Sequence, residues 1–140
     1  MKNVIAALVV VLLVFGGGYL YLKSKSGIQM DPKIAEFQTD ADRLIQGLQQ
    51  YKEFFKHYPT GTTAEISKAL SGQAEGSKVV IYATASAKKN DKGEIVDTWG
   101  TPIQFYFSHD AVMIRSAGPN RVWEDSRFPG SDDLYRTDTK

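Results

Sequence analysis

The sequence predicts an α+β fold, with an N-terminal transmembrane helix and a long amphipathic helix packed on a small antiparallel sheet. Three observations predict it. Val4 to Leu22 is an uncharged apolar run, long enough to cross a hydrocarbon core of roughly 30 Å. From Ile34 to Tyr58, apolar residues recur at alternating steps of three and four, which places them on one helical stripe. Ile103 to Phe107 and Ala111 to Ser116 read as two strands joined by a short turn.

The apolar run is preceded by Lys2 and closed by Lys23 and Lys25, with Tyr19 and Tyr21 near one end, where aromatic rings favour the membrane interface. A cleaved signal peptide would share the basic start and the apolar core. However, Tyr19-Leu20-Tyr21-Leu22-Lys23 is bulky where a small-residue cleavage site belongs. The expectation is therefore a retained anchor over residues 1–25, contacting membrane lipid through residues 4–22, followed by one domain over residues 26–140. Lys2 and the terminal amine are balanced by Lys23, Lys25 and Lys33, so charge leaves the orientation open. The chain has no cysteine, which excludes a lipoprotein anchor and a disulfide framework. A net charge of +1 without a basic cluster offers no basis for nucleic-acid binding.

After a connector from Ser24 to Asp31, Asp31 is placed to cap a helix with Pro32 at its first position, where the missing N–H costs nothing. The stripe then runs through Ile34, Phe37, Ala41, Leu44, Leu48, Tyr51, Phe55 and Tyr58, and Ile45 and Phe54 widen it into a core-facing surface. Lys52 and Lys56 suit the C-terminal end of the helix dipole, and Tyr58-Pro59-Thr60-Gly61 stops the helix. Thr62 or Thr63 caps a shorter helix through Leu70, with Glu65 in its first turn, and Gly72 to Ser77 is loop. Lys78 to Tyr82 is a short β-prone run, and Lys88 to Gly93 is a solvated polar turn. In the hairpin that follows, Ile103, Phe105 and Phe107 face inward, and Trp99 plugs the core just before the first strand. Because a lone hairpin is marginal in water, the long helix must cover its apolar face.

Nothing in the chain spells a catalytic motif. His57 and His109 lie outside any nucleophile, phosphate-loop or zinc-binding pattern, so no enzymatic activity is expected. The C-terminal segment is different: Asn120, Glu124, Asp125, Asp132 and Asp133 crowd an irregular stretch that also holds Trp123 and Phe128. Such oxygen-rich loops suit calcium, which takes six to eight oxygen ligands, although the spacing is not that of an EF-hand. On composition alone the default is a solvated acidic loop, with Arg121, Arg127 and Arg136 as counter-ions worth roughly 0–1 kcal/mol each.

Several ordered motifs resemble the major pseudopilins of type II secretion systems. Leu48-Gln49-Gln50-Tyr51-Lys52 followed by His57-Tyr58-Pro59-Thr60 looks like the end of their long helix. Asp97-Thr98-Trp99-Gly100-Thr101-Pro102 resembles their Asp-Pro-Trp-Gly-x-Pro element, with Thr98 in place of proline. Ser116-Ala117-Gly118-Pro119-Asn120 resembles their Ser-x-Gly-x-Asp turn, with Asn120 in place of aspartate, and Asp132-Asp133 their later acidic pair. The likeness covers roughly Ile34 to Leu134. It implies a structural role without catalysis, a pilin-like fold, contacts with other pilin-like subunits or secretion machinery, and a homo-oligomer. It also implies calcium held by Asn120, Asp125, Asp132 and Asp133, and a soluble domain in the periplasm, anchored by a single pass in the bacterial inner membrane.

The N-terminal part departs from that family. Met1-Lys2-Asn3-Val4-Ile5-Ala6-Ala7 stands where pseudopilins carry a basic leader ending in glycine and a Phe-Thr-Leu-Ile-Glu-like opening, and the apolar run contains no glutamate. The alternative expectation is therefore a single-pass binding module with a pseudopilin-like domain that does not polymerise.

Overall fold

The computed structural model describes residues 30–73, 84, 86–125 and 129–138. In chain order these form α1 (Pro32–Phe55), α2 (Thr63–Leu70), β1 (Gln104–Phe107), β2 (Val112–Ser116) and β3 (Leu134–Thr137). The expected membrane span at Val4 to Leu22 and the expected β run at Lys78 to Tyr82 lie outside the described residues. Among the described residues, no helix is long and apolar enough to cross a membrane.

The helical stripe forms as its spacing requires. Phe37, Ala41, Leu44, Ile45, Leu48 and Tyr51 are buried, and Ile34 and Phe55 pack partly against them. Phe54 does not widen the stripe; it is 66% exposed. At about 100° per residue, Ile45 falls about 60° from Leu48 around the axis, whereas Phe54 falls about 120° away and points past the core. The helix also ends earlier than the pattern suggests. Lys56 adopts a left-handed φ of 65°, so the chain leaves the helix after Phe55. Tyr58 keeps the spacing of the stripe but is buried for a different reason, stacking on Phe107 at 5.1 Å between ring centroids.

Thr62 is the N-cap of α2. Its hydroxyl accepts from the Glu65 N–H, and the Glu65 carboxylate accepts from the Thr62 N–H at 2.6 Å, so two otherwise orphaned donors are satisfied reciprocally. This helix contributes Ile66, Ala69 and Leu70 to the core.

The sheet has order β1-β2-β3 and is antiparallel throughout. The hairpin is in register, with Phe105 opposite Ile114 and Phe107 opposite Val112. The third strand is not foreseen by the sequence pattern. It pairs on the other side of β2, with Arg115 opposite Tyr135 and Ser116 opposite Leu134. Val112 and Ile114 are fully buried beneath α1, as is Leu48 above them. Each such side chain contributes roughly 1.5–3 kcal/mol. Polar ties also join the helix to the sheet region: Arg136 of β3 grips Asp42 of α1 with a two-pronged pair at 2.6 and 2.8 Å, Gln49 donates to Asp138 just beyond β3, and Lys52 donates to Asp110 in the hairpin turn.

Candidate functional site

The segment after β2 is closed by a chain of side chain to backbone bonds. Gly118 turns the chain with a φ of 69°, and a Cβ there would strike the backbone carbonyl of Asp132, so only glycine lets the two segments approach. Asn120 follows. Its N–H donates to Asp132 Oδ2 at 3.0 Å, while its own Oδ1 accepts from the Val122 N–H at 2.7 Å. The Asp132 N–H donates to Glu124 Oε2 at 3.0 Å. As a result, carboxylate oxygens of Glu124, Asp132 and Asp133 lie within 4.8 Å of one another.

Two of the four expected ligands, Asp132 and Asp133, therefore meet. Asn120 sits at the rim with its amide oxygen committed to a local turn, and the third carboxylate is Glu124 rather than Asp125. The reason lies in the backbone. The Glu124 N–H points at Asp133 Oδ2 and the Glu124 carbonyl accepts from Arg115, which fixes that residue beside the two aspartates. Arg115 was not anticipated as a counter-ion. Its Nε donates to Asp133 Oδ2 at 2.7 Å, and its guanidinium lies 5.1 Å from the Trp123 ring and 5.4 Å from the Tyr135 ring. Of the arginines expected to neutralise the loop, Arg136 instead pairs with Asp42, Arg121 is exposed with a φ of 63°, and Arg127 lies outside the described residues, as does Phe128.

Burial makes this group chemically distinct from a surface cluster. The Asp133 side chain has no solvent exposure and that of Arg115 has 18%. Among the described residues, Ser131 Oγ, Asp132 Oδ1 and Asp133 Oδ1 are buried and make no hydrogen bond. Buried carboxylate oxygens demand a donor or a cation, because leaving them bare forfeits their hydration without compensation. The donor set is all oxygen and mostly anionic, and it matches a hard cation such as calcium rather than a softer metal. Glu124, Asp132 and Asp133 would hold such an ion, which would supply charge neutralisation and a cross-link between the loop segments.

The sequence also underplays a second polar centre. Asp97 is buried at 4% exposure; its Oδ1 accepts from the N–H groups of Trp99 and Thr101, and its Oδ2 accepts from the Ser116 hydroxyl at 2.6 Å. Ser116 Oγ in turn accepts from the Gly118 N–H at 3.0 Å. Trp99 is 8% exposed within the core, as expected. The histidines belong to neither centre: His57 Nδ1 lies 2.9 Å from the Tyr58 carbonyl, and His109 is exposed beside Asp110. No protein-family model matches the chain, and no curated protein or solved structure matches it either.

Proposed function

We propose that this chain is a non-enzymatic, membrane-anchored, pseudopilin-like component of a type II secretion or pilus-like assembly. It would be held in the bacterial inner membrane through residues 4–22 and make protein contacts in the periplasm through its helix and sheet. The observation that carries the reading is that the motifs of the resemblance, scattered in sequence, converge in space. Asp97 of the Asp97–Pro102 element bonds to Ser116 of the Ser116–Asn120 turn at 2.6 Å, and Gly118 of that turn packs on Asp132 of the acidic pair. That these motifs interlock is what supports reading them as parts of one domain. In this reading the acidic clasp binds calcium and secures the C-terminal segment against the sheet.

Crosslinking of the full chain in membranes tests the assembly role. A filament subunit gives ladders with itself or with pilin-like partners. The absence of acidic residues from Val4 to Leu22 favours the second reading, an anchored binding module that does not polymerise. That module would crosslink to one envelope partner without a ladder. The calcium role is tested separately by thermal melts with calcium or a chelator. A melting temperature indifferent to both would count decisively against it.

A further inference from the structure

We propose that Arg115 is a built-in counter-cation of the acidic clasp, one that holds Asp133 in place without metal and sets how strongly the loop depends on a divalent ion. The proposal rests on the calcium reading and concerns how that same site is regulated.

The two oxygens of Asp133 are divided between different tasks. Oδ2 receives the guanidinium of Arg115, while Oδ1 is buried with no hydrogen bond. Asp132 is divided likewise, with Oδ2 on the Asn120 N–H and Oδ1 bare. One set of oxygens thus closes the clasp with protein donors, and the other is left for a ligand that donates positive charge. Arg115 is suited to a permanent role because a guanidinium does not lose its proton at any physiological pH. It is also held from several sides. Strand register sets Arg115 opposite Tyr135, whose ring lies under the guanidinium, while Trp123 flanks it and the Glu124 carbonyl accepts from it.

Charge counting gives the consequence. Glu124, Asp132 and Asp133 bring three carboxylates, and Arg115 neutralises one. The clasp is then half-closed by its own arginine, with an excess of negative charge left to attract a divalent ion. The fixed positive charge also repels that ion. Removing it should weaken the metal-free loop and tighten calcium binding at the same time.

The test uses the full-length chain in detergent, with calcium chloride as the probe, in wild type, Arg115→Gln and Arg115→Lys. Titration calorimetry gives the Kd, and melts with calcium or chelator give the metal-dependent shift in Tm. In Arg115→Gln, the metal-free Tm should fall, the calcium-induced rise should at least double, and the Kd should drop about tenfold as a nearby unit charge is removed. Arg115→Lys keeps the charge but loses the planar fork, so its Kd should stay near that of wild type while its metal-free Tm falls. If wild type responds to calcium and the rise in Arg115→Gln is unchanged or smaller, the proposal is overturned and the calcium reading survives. If neither protein responds, both are overturned. A response confined to Arg115→Gln would remove calcium from the native chain and leave Arg115 as the cation that fills the clasp. Should Arg115→Gln fail to fold even with calcium, Arg115→Lys decides: a calcium Kd about tenfold away from wild type, in a variant that keeps the charge, overturns the proposal.

Discussion

Asp97 and Ser116 meet side chain to side chain at 2.6 Å, at positions 4% and 0% exposed. The contact joins the loop around Trp99 to the end of β2, the point from which the acidic clasp begins. Asp97 serves three donors at once, so it organises backbone on both sides of the contact.

Asp97→Ala would leave the N–H groups of Trp99 and Thr101 and the Ser116 hydroxyl without their acceptor. Each stranded donor costs about 1–3 kcal/mol, so the loss should reach about 3 kcal/mol or more. Ser116→Ala deletes one member of the network and should cost less. Urea denaturation of both variants checks the order, and a loss under about 1 kcal/mol for Asp97→Ala would refute the assigned role.

Gly118→Ala meets two penalties: a left-handed backbone costing about 1–2 kcal/mol, and a collision with the backbone of Asp132. Gly93, at φ 76° with open space around it, provides the comparison. Gly93→Ala should lose stability through its backbone alone, whereas Gly118→Ala should lose more and also blunt any calcium-induced rise in Tm. Equal losses in the two variants would show that the close approach to Asp132 is unimportant.

Acid should weaken the fold partly through the cap of α2. The Glu65 carboxyl is held below its ordinary 4.5, first by the Thr62 N–H and then by the Thr62 hydroxyl. Asp110 is likewise held below its ordinary 3.8, chiefly by its hydrogen bond from Lys52. A carboxyl lowered on folding stabilises fully above its unfolded value, and that contribution disappears as pH falls through the folded one. Lys52 is raised above 10.5, first by its bond to Asp110, so its share is complete at neutral pH and is lost only in strong base. Glu65→Gln keeps a capping-box side chain that cannot titrate. Its stability should fall less steeply than that of wild type between about pH 5 and pH 3. Parallel acid limbs in chemical denaturation would contradict this.

Leu48 and Phe54 separate the two sides of α1. Leu48→Ala should cost about 2–5 kcal/mol, since Leu48 is fully buried. Phe54→Ala should change stability by no more than about 0.5 kcal/mol, since Phe54 is largely exposed. Thermal and urea denaturation measure both, and comparable losses would reverse the assignment of faces.

The long helix and the first hairpin are legible in the sequence because both are periodic in burial. Spacing of three and four from Ile34 to Phe55, and alternation through Phe105 and Phe107, record which side of each element meets the core. Phe54 shows the limit of that logic: an aromatic at the margin of a stripe is apolar whether or not anything covers it. Leu134 to Thr137 shows another. It is a short strand after an irregular acidic loop, with no turn-linked partner beside it, and it becomes a strand only because the far edge of β2 is free to pair.

The candidate site divides along the same line. By itself the sequence determined the composition of the clasp: acidic, oxygen-rich, free of cysteine and histidine, and placed after a glycine turn. Tertiary structure alone decided that Glu124 rather than Asp125 joins Asp132 and Asp133, and that Arg115 rather than Arg136 answers their charge. The physical reason is that local patterning encodes which residues leave water. Which charges then face one another depends on strand register and on the path of a loop pinned from across the sheet.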